Sequence, residues 1–313
     1  MAARRNAQAK DRGADGALTL AGIRLTHPDR VLFAEQGLTK RALADYWLAV
    51  TPRMLPHAAR RSLTLIRCPK GAGDACFVQQ HAVRGTPAAF RPLEIREKQG
   101  DVEPHLFVED HAGLVAGAQI GVLEFHIWGS RVDELERPDR LVLDLDPAED
   151  VSFAEVRRAA ADLRKGLLDL GIDSFALVTG GKGVHVVAPL APTRDWGAVK
   201  PFARAFAERA AAAEPQRFTT ALAKSERTGR IFIDYLRNER GGTAIAPYST
   251  RAKPGAPVAT PVTWDELARL DRANGFAPEA VAARMQGPDP WDGYEAARRP
   301  LPDAALAALD IEA

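Results

Sequence analysis

The sequence predicts an α+β fold, a mixed α/β arrangement rather than a doubly wound parallel sheet. Three observations point there. Strand-like segments outnumber what strict alternation of strand and helix would give. Several follow one another across short glycine-containing turns, as hairpins do. The 313 residues are 46% hydrophobic and 27% charged, a soluble globular profile with enough chain for a large core.

Residues 1–16 are rich in Ala and Arg without periodicity and read as a mobile N-terminal tail. From Leu38 to Leu55 a helix is expected: Thr39 is a cap, and Leu43, Tyr46, Trp47, Val50 and Met54 recur at helical spacing. SLTLIRC (62–68) and CFVQQ (76–80) read as paired strands around PKGAGD. LFVED (106–110) and QIGVLEFHIW (119–128) add two more. The polar stretch SRVDELERPDR marks a break between two lobes near 129–140.

LVLDLD (141–146) is a strand, and the helix from Ser152 to Leu170 starts with a capping box, Ser152 with Glu155, and stops at Gly171. SFALVT (174–179) and VHVVAPL (184–190) are strands across a glycine turn, followed by a helix over Trp196–Ala213. IFIDYL (231–236) is another strand, and two helices near 263–270 and 278–286 precede a C-terminal tail over 299–313. The body of the protein is thus expected at 17–298.

Several function classes are excluded. No apolar run reaches the roughly 18 residues a membrane span needs, and MAARRNAQAKDRGADG lacks the apolar core of a secretory signal, so the expected location is the cytoplasm. Cys68 and Cys76 do not make a zinc site by spacing, even with His81, and are expected as reduced thiols. Any metal should then be held by carboxylates, which favours Mg²⁺ or Mn²⁺. The net charge of +1 does not announce a nucleic-acid binder. Arg and Lys do cluster, at 60–70, at Arg84, Arg91, Arg96 and Lys98, and at 224–240, as basic patches able to grip phosphate.

Three segments carry candidate chemistry. In LVLDLD the leucines share one strand face, and Asp144 and Asp146 the other. Carboxylates so spaced are roughly 6–7 Å apart at Cα and can converge on two divalent ions about 3.5–4 Å apart. A cation would offset the penalty of enclosing them. In VTGGKGVHVVAPL (178–190), the glycines around Lys182 form a turn whose amides can approach phosphate, with Thr179 and His185 beside it. The spacing is not that of a Walker loop. In IFIDYLRN (231–238), Asp234 is a third acid in an apolar strand, as a two-metal site requires. Neither a Ser-His-Asp nor a Cys-His order stands out.

These segments, in this order, resemble the archaeo-eukaryotic primase superfamily, and more closely the polymerase domain of bacterial ligase D, which acts in non-homologous end joining. RVLFAEQGLTK, MLPHAARRSLTLIRCPKG, LEFHIWGSR, ERPDRLVLDLDP, APYSTRAKPG and DPWDGY extend the likeness over roughly residues 20–295. The resemblance implies a primase-polymerase fold with two abutting sheet-containing lobes and flanking helices. It places the catalytic, metal-binding acids on Asp144, Asp146 and Asp234. It places nucleotide contacts on Thr179, Lys182, His185, His126, Arg227 and Arg251. Arg30 and Lys40 fall where the family recognises a downstream DNA 5′-phosphate, and Phe77 where an aromatic ring stacks on template. There are departures: Thr179 stands at the usual serine position, Arg30 replaces lysine, and Phe77-Val78-Gln79-Gln80-His81 loses a ring and a charge relative to Phe-Phe-Gln-Lys-His.

The expectation is therefore a DNA-directed nucleotidyltransferase using two Mn²⁺ or Mg²⁺ ions. It would fill gaps and extend broken DNA ends with nucleoside triphosphates, preferring ribonucleotides, near the nucleoid. An ATP-dependent ligase and an end-binding factor would be its partners. The alternatives are a primase that starts chains de novo and a non-catalytic end-bridging module.

Overall fold

A computed structural model describes residues 17–97 and 99–311; the expected tail over 1–16 lies outside them, as does Lys98. The chain opens with two short hairpins, β1 (Leu18–Leu20) with β2 (Ile23–Leu25) and β3 (Val31–Phe33) with β4 (Leu38–Thr39). Helix α1 (Lys40–Ala58) starts where Thr39 caps it, its side chain accepting from the Ala42 amide. Its apolar stripe of Leu43, Trp47, Val50 and Met54 is fully buried, and Trp47 meets Phe125 edge-on at 5.2 Å.

The first lobe continues with β5 (Leu63–Arg67), β6 (Phe77–Gln79), β7 (Arg91–Arg96), β8 (Val102–Phe107), α2 (His111–Gln119) and β9 (Val122–Trp128). The second holds β10 (Arg140–Pro147), α3 (Phe153–Asp169), β11 (Phe175–Val178), β12 (Val184–Pro189), α4 (Trp196–Ala213), β13 (Phe218–Thr219) and β14 (Ile231–Asp234). The chain then returns to the first lobe as β15 (Thr243–Ile245), which pairs with β9, and comes back as β16 (Thr260–Val262), which pairs with β11. Helices α5 (Trp264–Leu267), α6 (Pro278–Arg284) and α7 (Asp303–Ala307) finish it.

The result is a four-stranded sheet, β15-β9-β5-β6, a six-stranded sheet, β13-β14-β10-β12-β11-β16, and a separate β7-β8 hairpin. This is the mixed fold expected. Leu141, Leu143 and Leu145 pack with Val156, Leu163, Leu167, Phe202 and Phe206 under α3 and α4. On the opposite face Val142, Leu177 and Val187 meet Trp291 and Tyr294 of the DPWDGY segment, and Trp291 donates to the Ala176 carbonyl at 2.9 Å. The 129–140 segment leads from one core to the other. It is pinned by Asp139, which Arg61 grips at 2.6 Å and Arg131 and Arg298 approach at 3.2 and 3.3 Å. Among the described residues no helix is long and apolar enough to cross a membrane.

The structure corrects several expectations. Cys68 and Cys76 are joined in a disulfide rather than left as thiols. The cause is register: Arg67 pairs with Phe77, so the next positions outward on β5 and β6 face each other across the turn. The strand expected from Gln119 begins only at Val122, because HAGLVAGAQ forms α2, capped by Asp110. Glycines made that stretch unlike a helix, yet packing requires one of them: a Cβ on Gly117 would sit 2.6 Å from the Phe125 ring. The stretch 299–313, expected as a tail, carries α7, whose Ala305 and Leu306 join Leu301 in the second core.

Candidate active site

Asp144 is the centre of a row running across three strands. Its register partners are His185 on β12 and Asp234 on β14. The row exists because β10 lies between two antiparallel neighbours, and side chains at paired positions point to the same face. His185 Nε2 lies 3.4 Å from Asp144 Oδ1. Arg237, on the turn just after β14, reaches back to Asp144 Oδ2 at 3.2 Å and Asp234 Oδ2 at 3.0 Å. Asp146 follows on the same face of β10 but opens to solvent, its side chain 58% exposed and 3.6 Å from Arg227. Only Asp144 and Asp234 therefore bear the burial expected for the whole set.

The electrostatics of the three acids differ. Burial pushes Asp144 up, but His185 and Arg237 more than reverse this and hold it at about 2. Asp234 is raised by burial, Arg237 opposing and Asp144 adding to it. Asp146 is raised by burial and by the charge of Asp144, against Arg227 and Arg237. Two carboxylates held above their usual range beside a third, ionised one are in the condition a divalent cation relieves. An all-oxygen donor set of this kind fits a hard ion such as Mg²⁺ or Mn²⁺.

Facing the acids is the glycine turn between β11 and β12. The Thr179 amide and hydroxyl both donate to the Gly183 carbonyl, at 3.1 and 3.0 Å, and the Gly181 amide donates to the Thr179 hydroxyl at 3.3 Å. Gly180 has φ +68°, and a Cβ on Gly183 would run into the Leu145 carbonyl oxygen. Glycine at 183 is what lets the turn lie against β10. Lys182 is largely exposed, with a loose 3.4 Å contact to Glu149.

Arg251 closes the site from the segment after β15, donating to the Thr179 carbonyl at 2.8 Å and to Glu124 Oε2 at 2.9 Å. The same Glu124 oxygen lies 2.8 Å from His126 Nε2. Burial raises Glu124, but His126, Arg251 and the Ala252 amide pull it down to about 2. Arg251 and His126, with Asp144, Asp146 and His185, line a polar cavity of about 200 Å³ that also takes in Lys253.

The structure thus brings together Asp144, Asp146, Thr179, Lys182, His185, His126 and Arg251 around one cavity, with Asp234 and Arg227 bordering it. Arg227 lies over the Phe232 ring at 3.7 Å. Phe77 is elsewhere, 47% exposed on edge strand β6, with Arg67 5.1 Å from its ring. Arg30 and Lys40 are neighbours at the start of α1, yet they differ. Arg30 is exposed and donates to the Pro69 carbonyl at 3.2 Å, whereas Lys40 is buried and donates to the Thr26 and Gln119 carbonyls at 2.9 and 3.2 Å. Sequence reasoning missed Glu124 and Lys253. The signals were an acid two residues from His126 in an apolar strand, and a lysine two after Arg251.

The sequence matches the family described as LigD, primase-polymerase domain, over residues 39–291. The chain belongs to this family. It is 36% identical over 309 residues to the multifunctional non-homologous end joining protein LigD of Pseudomonas aeruginosa, covering 97% of this chain and 36% of that protein. It is 34% identical over 248 residues to LigD of Mycolicibacterium smegmatis, covering 79% of this chain and 32% of that one. The chain spans about a third of the length of these relatives. Its structure resembles the polymerase domain from Mycobacterium tuberculosis ligase D in complex with DNA, with TM-score 0.81, 29% identity, and coverage of 88% of this chain and 98% of that one. The LigD primase-polymerase domain is a DNA-directed nucleotidyltransferase, the enzyme class expected from the sequence.

Proposed function

We propose that the chain extends a DNA primer end by template-directed nucleotidyl transfer during non-homologous end joining, filling gaps and extending broken ends. The observation that carries this is the Asp144–Asp234–His185 row facing the Thr179–Gly183 turn, acids on one side and triphosphate donors on the other. Asp144, Asp146 and Asp234 would hold two Mg²⁺ or Mn²⁺ ions. When bound, these ions supply the acidity that frees the primer 3′-hydroxyl and the charge that a departing pyrophosphate needs.

The chain's own residues do the rest. Lys182, His185, Arg251 and Lys253 bring positive or hydrogen-bonding groups to the triphosphate. Glu124 holds Arg251 and His126 in place, so the guanidinium and the imidazole beside the nucleotide meet it preorganised. Arg237 occupies the space between Asp144 and Asp234 and must turn aside when a cation enters. Arg227 flanks Asp146 at the nucleotide's edge. Phe77, exposed on an edge strand, is offered to template, and Arg30 to a downstream 5′-phosphate. A preference for ribonucleotides with Mn²⁺, an ATP-dependent ligase and an end-binding factor as partners, and work at the nucleoid belong to the same reading.

Primer extension on a gapped duplex tests it. Replacing Asp144 and Asp146 with alanine should lower extension by at least about 100-fold, since bound metal contributes several kcal/mol, while circular dichroism stays unchanged. Undiminished extension by this folded variant would sink the assignment. Omitting the primer separates extension from de novo priming. The largely buried Asp144 and Asp234 argue against a silent bridging module, which has no use for enclosed acids.

A further inference from the structure

A second group of ligating side chains lies outside the cavity. His81 follows β6, His105 is on β8, and Glu97 follows β7. One ligand atom from each lies within 4.8 Å of the others. His105 is buried; its Nε2 is 2.6 Å from Glu97 Oε1 and its Nδ1 is 2.9 Å from the Ser62 hydroxyl. His81 bridges His105 through the backbone, and their rings meet edge-on at 4.8 Å. The Nε2 of His81 is buried and has no hydrogen-bond partner.

We propose that His81, Glu97 and His105 bind a first-row transition-metal dication, Zn²⁺ by preference, with a water in the fourth position. Two imidazoles and a carboxylate are a zinc donor set, and the nitrogen ligands select against the Mg²⁺ or Mn²⁺ suited to the oxygen-only acids. Ligating histidines characteristically donate their other ring N–H to a fixed partner. Ser62 is such a partner for His105 Nδ1, leaving Nε2 turned towards Glu97. A hydrogen bond between His105 and Glu97 alone leaves the buried His81 nitrogen unsatisfied; a metal satisfies all three groups. The ion would tie the exit of β6, the strand that presents Phe77, to the β7–β8 hairpin, which belongs to neither large sheet. Chain spacing gives no hint of it, because the ligands are 16 and 8 residues apart and meet only through strand pairing.

Metal binding by the full chain decides the matter independently of polymerase activity. After chelator treatment, the protein is titrated with Zn²⁺ against a competing chromophoric chelator, with excess Mg²⁺ present throughout. One equivalent should bind, and should still bind to the Asp144→Asn/Asp146→Asn variant. His81→Gln and Glu97→Gln should each weaken it by at least about tenfold. Co²⁺ should give the intense visible bands of a four-coordinate site in the wild type and lose them in His81→Gln. Absence of binding to the wild type would overturn the proposal. So would binding that vanishes with the Asp144 and Asp146 substitutions yet survives His81→Gln. Should a variant fail to fold, the wild-type titration and Co²⁺ spectrum still decide.

Discussion

Asp144 and Asp234 face each other across the β10–β14 ladder, and one guanidinium, that of Arg237, spans both at 3.2 and 3.0 Å. The arginine stands in for a cation at the place where the proposed metals bind. It should therefore compete with them. Replacing Arg237 with glutamine is expected to raise Mn²⁺ affinity in the absence of nucleotide by roughly fivefold, equivalent to about 1 kcal/mol for a partly exposed ion pair. Electron paramagnetic resonance of free Mn²⁺ during a titration measures this. Unchanged or weaker affinity would refute the competition.

Glu124 ties first-lobe strand β9 to Arg251, and its charge is stabilised by His126 beside it and by that tie. Its folded value of about 2 lies below its ordinary 4.5. The stabilisation is thus fully present above pH 4.5 and is lost as pH falls from there towards 2. The full shift corresponds to about 3 kcal/mol. Denaturant unfolding at pH 7 and pH 3 should show a smaller acid-induced loss in Glu124→Gln than in the wild type. Equal losses in both proteins would count against the tie.

Gly183 is where the Thr179–Gly183 turn touches β10. A Cβ there meets the Leu145 carbonyl, a backbone atom one residue from Asp144 that cannot swing away. Gly183→Ala should displace the turn, raising the nucleotide KM and lowering the melting temperature by several degrees, the scale of about 1–2 kcal/mol. Gly171→Ala is the control, because nothing lies within 4 Å of its Cβ position although φ is +76°. It should leave the KM alone.

Arg30 and Lys40 should part company under mutation. Arg30→Ala should weaken binding to gapped DNA chiefly when the downstream strand carries a 5′-phosphate, as fluorescence anisotropy with paired substrates would reveal. Lys40→Ala strips the Thr26 and Gln119 carbonyls of their donor and should destabilise the fold by about 1–3 kcal/mol. A stability loss confined to Arg30→Ala would reverse the assignment.

The sequence by itself determined whatever depends on near neighbours in the chain. Alternation put Leu141, Leu143 and Leu145 in the core, with Asp144 and Asp146 on the opposite face. The Ser152–Glu155 box started α3 where expected, helical spacing placed α1, and an alanine-rich run placed α4. These rest on periods of two and 3.6 residues and on caps, which the chain carries locally. Tertiary structure decided which distant residues meet. Register set Asp144 against Asp234 and His185, closed Cys68 onto Cys76, and brought His81 to His105. Packing made α2 from a glycine-rich run and turned Lys40 inwards. Glu124 and Lys253 drew no notice in the sequence because their roles lie in partners far along the chain. Strand register and burial are settled by the whole core at once, so no single segment could announce them.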